Sequence, residues 1–265
     1  AGHKLASKGA RIGAMVAWLG LAGMVAAQPA RETFVVQVQG EPGGTMSVVR
    51  DGAGTTRVEF SWRDNGRGPD MREEFRVDAA GVPQSYRVRG KATYGAVIDE
   101  EASLESGRLR WRSPADQGDE AAPGGGSVFV PLESTPAYWG QILQALISAP
   151  DGRRPTIGAA VLQAERLATL SVRGEGGSTV DVALYSLVGT DVEPWYLWLR
   201  DDPGHAFFAV AWPGWQVTPA GYEGVGPQLI ERMKAAQFER LRRLRERLAQ
   251  PLPGVTLIRA VRWFD

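Results

Sequence analysis

The chain has 265 residues, of which 43% are hydrophobic and 23% charged, and these are ordinary values for a folded globular protein. Its 30 Lys and Arg residues balance 30 Asp and Glu residues, so it lacks the basic excess of a general nucleic-acid or membrane-surface binder. It contains no Cys and two His, which excludes disulfides, thiolate zinc sites, iron–sulfur clusters and His-rich metal sites. We therefore expect no metal or other cofactor in this chain.

The first 27 residues have the pattern of a cleaved secretory signal peptide. Lys4, Lys8 and Arg11 precede an apolar stretch from Ile12 to Met24, and Val25–Ala27 supplies small residues for cleavage. The stretch is too short to span a hydrocarbon core of ~30 Å comfortably. The alternative to a cleaved signal peptide is a buried N-terminal helix or an uncleaved membrane anchor. The pattern predicts a periplasmic or secreted protein with no stable membrane span after signal cleavage.

Short segments that alternate apolar and polar residues follow one another from Thr33 to about Arg112, separated by turn residues at spacings near ten. Turns of hairpin size predict an antiparallel meander with one buried and one solvated face. The segment Ala115–Ser127, which is rich in Gly, Pro and acidic residues, is predicted to be a loop. A second group of strands is predicted between residues 165 and 211.

Two segments have helical spacing, Pro136–Ile147 and Pro227–Ala249. The predicted fold is α+β and mainly antiparallel β, with residues 28–250 forming a curved sheet, a half-barrel or a sandwich with one short helix and one long C-terminal helix. The long helix is expected to face the sheet with an apolar stripe made of Ile230, Met233, Gln237, Leu241, Leu244 and Leu248.

The loop Arg63–Asp70 is the first candidate site. Arg63 and Arg67 alternate with Asp64 and Asp70 beside glycines, a composition that can bind an anion or a carboxylate. Asn65-Gly66 is also a strong hairpin signal, because both residues accept positive φ. The favoured interpretation is a hairpin or a loop that docks on another domain.

An aromatic segment is the second candidate site. Trp195 and Trp198 are followed closely by Phe207-Phe208, Trp212 and Trp215, so that four of the nine Trp fall in this segment. Aromatic side chains at this density can line a groove for a sugar or a lipid, although they more often form a sheet core or a buried interface.

Two other groups of polar residues are less convincing candidates for a functional site. The carboxylates of Asp99–Glu101 are expected to lie on a solvated strand edge, since neighbours on a strand point to opposite faces. His205, near Asp201 and Asp202, could belong to a hydrolytic triad, but the chain has no Gly-x-Ser-x-Gly motif and a His in such a hairpin is usually a turn residue.

The C-terminal residues resemble the first strand of an amidohydrolase-superfamily enzyme. Leu257–Ala260 and Trp263–Asp265 match that strand, whereas Val261 departs from it. Upstream segments resemble the N-terminal extension of some secreted bacterial amidohydrolases, so that the resemblance covers residues 32–265; they are Arg63–Asp70, Trp111–Ser113, Phe129–Pro131 and Gly189–Trp198.

This resemblance implies that residues 251–265 are a linker and the first strand of a following amidohydrolase-like domain. The chain would then be the non-catalytic N-terminal domain of an enzyme that hydrolyses C–N bonds. Its partner would be a C-terminal hydrolase domain of the same polypeptide, which would hold a divalent metal such as zinc. This chain has no His-x-His motif, so no catalytic residue can be transferred to it.

The alternative hypothesis is a free-standing periplasmic half-barrel that binds an apolar ligand or lipid against the aromatic segment. A stand-alone hydrolase based on His205 is a third hypothesis. None of these hypotheses involves nucleic acid, and all leave open a homo-oligomer.

Overall fold

The computed structural model describes residues 30–262 except 125, 157–159, 253, 256, 258 and 261. The predicted signal peptide and most of the predicted C-terminal strand lie outside the described residues, so both stay predictions. The described residues form fourteen strands and two α-helices. The strands are β1 (Ala30–Val38), β2 (Glu41–Arg50), β3 (Thr55–Trp62), β4 (Asp70–Val77), β5 (Pro83–Lys91), β6 (Val97–Glu105), β7 (Arg108–Arg112), β8 (Gln117–Ala121), β9 (Arg153–Pro155), β10 (Val161–Arg173), β11 (Thr179–Val188), β12 (Trp195–Arg200), β13 (Phe207–Trp212) and β14 (Trp215–Pro219). The helices are α1 (Pro136–Ile147) and α2 (Gly226–Leu248).

All fourteen strands belong to one curved, unclosed sheet in which every neighbouring pair is antiparallel. β1 to β8 form one meander and β9 to β14 form another. The two meanders join where β1 pairs with β14, with Phe34 opposite Pro219 and Val38 opposite Trp215. β8 and β9 are the edges. The predicted fold class is confirmed, although β8 occupies part of the segment predicted to be a loop.

The concave face of the sheet is filled by α1. Alternation places Val58, Phe60 and Phe75 inside, where they meet the helix in the main hydrophobic core. Most of α1 is buried, which explains why its sequence is apolar on nearly all sides. The helix lies so close to β13 that a Cβ atom at Gly140 would be 2.7 Å from the Cβ of Phe207.

The second helix covers the opposite face of β10 to β13. Leu229 and Met233 of α2 pack there against Trp198 and Phe208 in a separate hydrophobic cluster. β11 to β13 are therefore buried on both faces, and their sequences are continuous apolar runs instead of alternating ones. The predicted apolar stripe of α2 is wrong in its second half, because Leu241 and Leu248 are 62% and 66% exposed.

Candidate functional site

A cavity of about 390 Å³ lies at one end of the sheet. The hairpin turns between β1 and β2, β3 and β4, and β13 and β14 surround it, together with the first residues of α1 and β12. Its lining is mainly apolar, and includes Val38, Phe60, Leu197 and Val210.

Five tryptophans line this cavity among the described residues, although the whole chain contains only nine. Trp139 stacks on Trp195, with ring centroids 5.5 Å apart and planes inclined by 25°. Trp212 stacks on Trp215 at 4.5 Å and 17°. Trp62 meets Trp215 edge to face, at 6.0 Å and 66°. The two stacked pairs and the fifth ring form what we call the five-Trp cavity.

Local structure orients three of these rings, Trp62, Trp212 and Trp215. Trp212 and Trp215 are directly opposite each other across the turn Pro213-Gly214, so their side chains lie on the same face of the hairpin. Gly214 has a φ of 83°, which favours glycine. Trp62 ends β3 opposite Gly44, where a Cβ atom would lie 2.5 Å from the Trp62 Cα. Glycine at 44 therefore leaves room for the strand end that carries Trp62.

Few polar groups belong to the cavity. Of the described lining residues, only Asp64 carries a charge, and apart from the indole N–H groups the polar uncharged side chains are Gln39 and Ser134. The Ser134 Oγ and the Trp215 Nε1 are buried and have no hydrogen-bond partner in the described part of the chain. Both atoms are closed off from the solvent, so the accessible surface of the cavity is mostly indole and aliphatic carbon.

Two buried glutamates hold the chain that leads into α1. Glu73 of β4 accepts hydrogen bonds from the Thr135 backbone N–H at 3.0 Å, from the Thr135 hydroxyl and from the Tyr86 hydroxyl at 3.0 Å. Glu100 of β6 accepts a hydrogen bond from the backbone N–H of Leu132 at 3.0 Å. These bonds fix the segment next to Ser134, and so fix the start of α1 and Trp139.

Burial is the largest influence on the pKa of both carboxyl groups. It raises the pKa of Glu73 to about 7, although the hydrogen bonds from Thr135 and Tyr86 oppose the change. Burial also raises the pKa of Glu100. The predicted solvated edge at Asp99–Glu101 is wrong for Glu100, since β6 is an inner strand and its middle carboxylate points into the core. Asp99 and Glu101 pair with arginines on the outer face.

The candidate loop at 63–70 forms the β3–β4 hairpin turn. Asp64 and Arg67 exchange backbone hydrogen bonds of 2.7 and 2.9 Å around Asn65-Gly66, whose φ angles are 49° and 75°. These are the angles of a two-residue type I′ turn. Arg63 donates to the carbonyl groups of Trp62 at 2.7 Å and Pro69 at 2.9 Å, and also pairs with Asp70.

Of those four charged residues, Asp64 lines the cavity, and Arg63, Arg67 and Asp70 do not. The structure therefore brings one residue of the loop together with the aromatic segment.

The predicted aromatic site is divided between the two faces of the sheet. Trp195 and Trp212 line the cavity, each about 40% exposed, whereas Trp198 and Phe208 are completely buried under α2. An odd spacing along a strand separates Trp195 from Trp198. Trp215, the last Trp of the predicted segment, also lines the cavity, and sequence reasoning missed Trp62 and Trp139. Their signal was an aromatic residue beside a hairpin turn or near a helix start, but nothing local showed that these ends meet.

The described part of the chain contains neither a hydrolytic triad nor a metal site. The His205 ring packs edge-on against Tyr185 at 6.4 Å and makes no hydrogen bond with any Asp or Ser side chain. The described residues contain no group of three or more His, Asp or Glu that could hold a metal ion. None of the described helices combines the length and the apolar composition needed to cross a membrane.

No family model and no curated protein matches the chain. The solved structures that are similar to it include two that share 12% identity with the chain. One is a β-barrel-like protein of the domain of unknown function DUF1849 from Brucella abortus, with a TM-score of 0.43 over 72% of this chain and 95% of that one. The other is a DUF1089 family protein from Pseudomonas aeruginosa, with a TM-score of 0.32 over 74% of this chain and 95% of that one.

These findings correct the predicted resemblance. Each similar structure is matched over almost its whole length, and neither is described as part of an amidohydrolase. No family model supports that superfamily either. The predicted role as the N-terminal domain of a hydrolase is therefore wrong, and so is the predicted hydrolase domain as partner. Export and the absence of a cofactor stay predictions.

Proposed function

We propose that this protein binds an apolar small molecule or the hydrocarbon chain of a lipid in the five-Trp cavity. The observation that carries the proposal is the cavity itself, in which five indole rings from four separate parts of the fold line one space of about 390 Å³. This volume lies within the range of small-molecule sites, which are mostly apolar and have few polar groups.

The shortage of polar groups favours an apolar ligand over a sugar. A sugar stacks on indole rings but also needs several hydrogen-bonding side chains for its hydroxyl groups. Apart from the indole N–H groups, which only donate, the cavity offers only Asp64, Gln39 and Ser134 among its described lining residues, and the Ser134 hydroxyl is closed off.

The walls of the cavity are held in place before any ligand arrives. Glu73 and Glu100 fix the chain before α1, and the Gln39 backbone N–H donates to the Gly214 carbonyl at 2.8 Å, which joins two of the hairpins. A site that is already formed loses less conformational entropy when it binds. The preformed walls therefore favour binding.

Titration with 1-decanol, followed by tryptophan fluorescence and native mass spectrometry, tests the proposal. Five of the nine tryptophans line the cavity, so we expect saturable changes in emission and a 1:1 complex. Trp212→Ala should weaken binding by about tenfold, because it removes one indole of a stacked pair and its apolar contact area. Tyr94→Ala is the control, since Tyr94 is 86% exposed and outside the cavity lining. No saturable binding, or equal weakening in both variants, would refute the proposal.

A further inference from the structure

The charge at the five-Trp cavity is negative. Asp64 is the one charged side chain among the described residues that line it. Its carboxylate accepts a hydrogen bond from the Asn65 side chain at 2.9 Å and forms no ion pair with any described residue. The neighbouring Arg63 is committed to Asp70 and to two backbone carbonyls, and Arg67 is not part of the lining.

The ring faces add to this negative field. An indole has a negative face because of its quadrupole, and Trp attracts cations more strongly than Tyr or Phe does. Trp195 and Trp212 remain about 40% exposed, so one ring of each stacked pair is open to a ligand. A carboxylate and open indole rings that line the same cavity attract a cation and repel an anion.

The apolar lining restricts which cation fits. A primary ammonium is a compact and strongly hydrated charge, so it would lose water that the few polar groups of the cavity do not replace. A quaternary ammonium has its charge spread over methyl groups and gives up less hydration, and aromatic rings recognise such groups well.

We propose that the ligand is a cationic amphiphile whose quaternary ammonium group lies between Asp64 and the open indole rings, while its apolar chain fills the rest of the cavity. This inference rests on the proposed function and adds the charge and the chemical class of the ligand. It assigns Asp64 a role in selecting the ligand.

Three ten-carbon probes with different head groups test the inference: decyltrimethylammonium, 1-decanol and decanoate, each below its micellar concentration. We expect decyltrimethylammonium to bind at least tenfold more tightly than decanoate. Added salt should reduce this difference, because Asp64 is exposed and its field is screened. Tetramethylammonium, which has the head group without the chain, should bind at least tenfold more weakly than decyltrimethylammonium.

A pair of variants separates the effect of Asp64 from that of total charge. Asp64→Asn should weaken the binding of decyltrimethylammonium by about fivefold and leave 1-decanol unaffected, as expected for one exposed carboxylate. Glu105→Gln removes the same charge from an exposed residue at the β6–β7 turn, outside the cavity lining, and should change neither.

Each contrary outcome has a distinct meaning. If decanoate binds as tightly as decyltrimethylammonium, or if Asp64→Asn has no effect, the inference fails while binding of an apolar ligand stands. If tetramethylammonium binds as tightly as the long-chain probe, the amphiphile is ruled out as the ligand. If no probe binds at all, the proposed function fails, and the inference fails with it.

Discussion

At the scale of single residues, Glu73 links the sheet to the cavity. Its carboxyl group is completely enclosed, and its hydrogen-bond partners are Thr135, at the start of α1, and Tyr86 on the next strand. Burying a carboxylate without a cationic partner costs free energy, and the raised pKa of Glu73 reflects that cost. Glutamate at this position therefore orders the entry to α1 at the expense of stability at high pH.

This cost predicts a pH dependence of unfolding. The pKa of Glu73 is about 7 in the folded protein and close to 4.5 in the unfolded chain, so only the folded state retains the proton between these values. Stability from this group is thus complete below about pH 4.5 and is lost as the pH rises through 7, by up to roughly 3 kcal/mol. Urea denaturation between pH 5 and pH 8 measures this loss.

Glu73→Gln is the matched variant, because its neutral amide can keep the bonds to Thr135 and Tyr86. We expect it to be more stable than the parent at pH 8 and to lose much of the pH slope. Burial also raises the pKa of Glu100 and of Glu133, and both should supply part of the remaining slope in the same direction. Parallel pH profiles for the parent and the variant would contradict this assignment.

At the scale of elements, the two halves of α2 have different environments. Residues up to about Ala236 pack on the sheet, whereas Phe238, Leu241 and Leu248 are largely exposed. Arg240 and Arg243 pair with Glu165 of β10, so polar contacts replace apolar packing in the second half. The helical period was correctly predicted from the sequence, but it does not reveal where the supporting sheet ends.

A pair of Leu→Ala variants in α2 tests this division. Leu229 is completely buried, so Leu229→Ala should reduce the free energy of unfolding by about 2–5 kcal/mol. Leu241 is 62% exposed, so Leu241→Ala should change that free energy by less than about 0.5 kcal/mol. The change in helix propensity is the same in both, and urea denaturation measures each. Similar losses would mean that the second half of α2 is packed.

At the scale of the whole molecule, one strand pair joins the two meanders. β1 and β14 lie in the middle of the sheet and are covered on the concave face by the main core. β8 is an edge strand of five mostly exposed residues, and its Asp119 and Glu120 are suited to an edge that must not pair with another molecule.

This difference predicts the order of hydrogen exchange. Amides of β1 and β14 should exchange only when the whole sheet opens, whereas those of β8 should exchange at least about tenfold faster through local opening. Hydrogen–deuterium exchange with mass spectrometry resolves the three segments. Equal protection of β8 and β14 would show that the edge is more stable than its exposure implies.

The sequence by itself determined the local features of this protein. Alternation in β3 and β4, the Asn65-Gly66 turn and the apolar helix Pro136–Ile147 were all predictable, because each depends on residues near one another in the chain. The antiparallel fold class followed from the short spacing of those strands and turns.

Only the tertiary structure decided which side chains share a site. The pairing of β1 with β14 brings Trp62 to Trp215, and the insertion of α1 brings Trp139 to Trp195. Alternation could not separate Trp195 from Trp198 by role, since both faces of β12 are covered and either one could have held a ligand. The physical reason is that burial and cavity formation depend on contacts between residues far apart in sequence, whereas periodicity reports only on near neighbours.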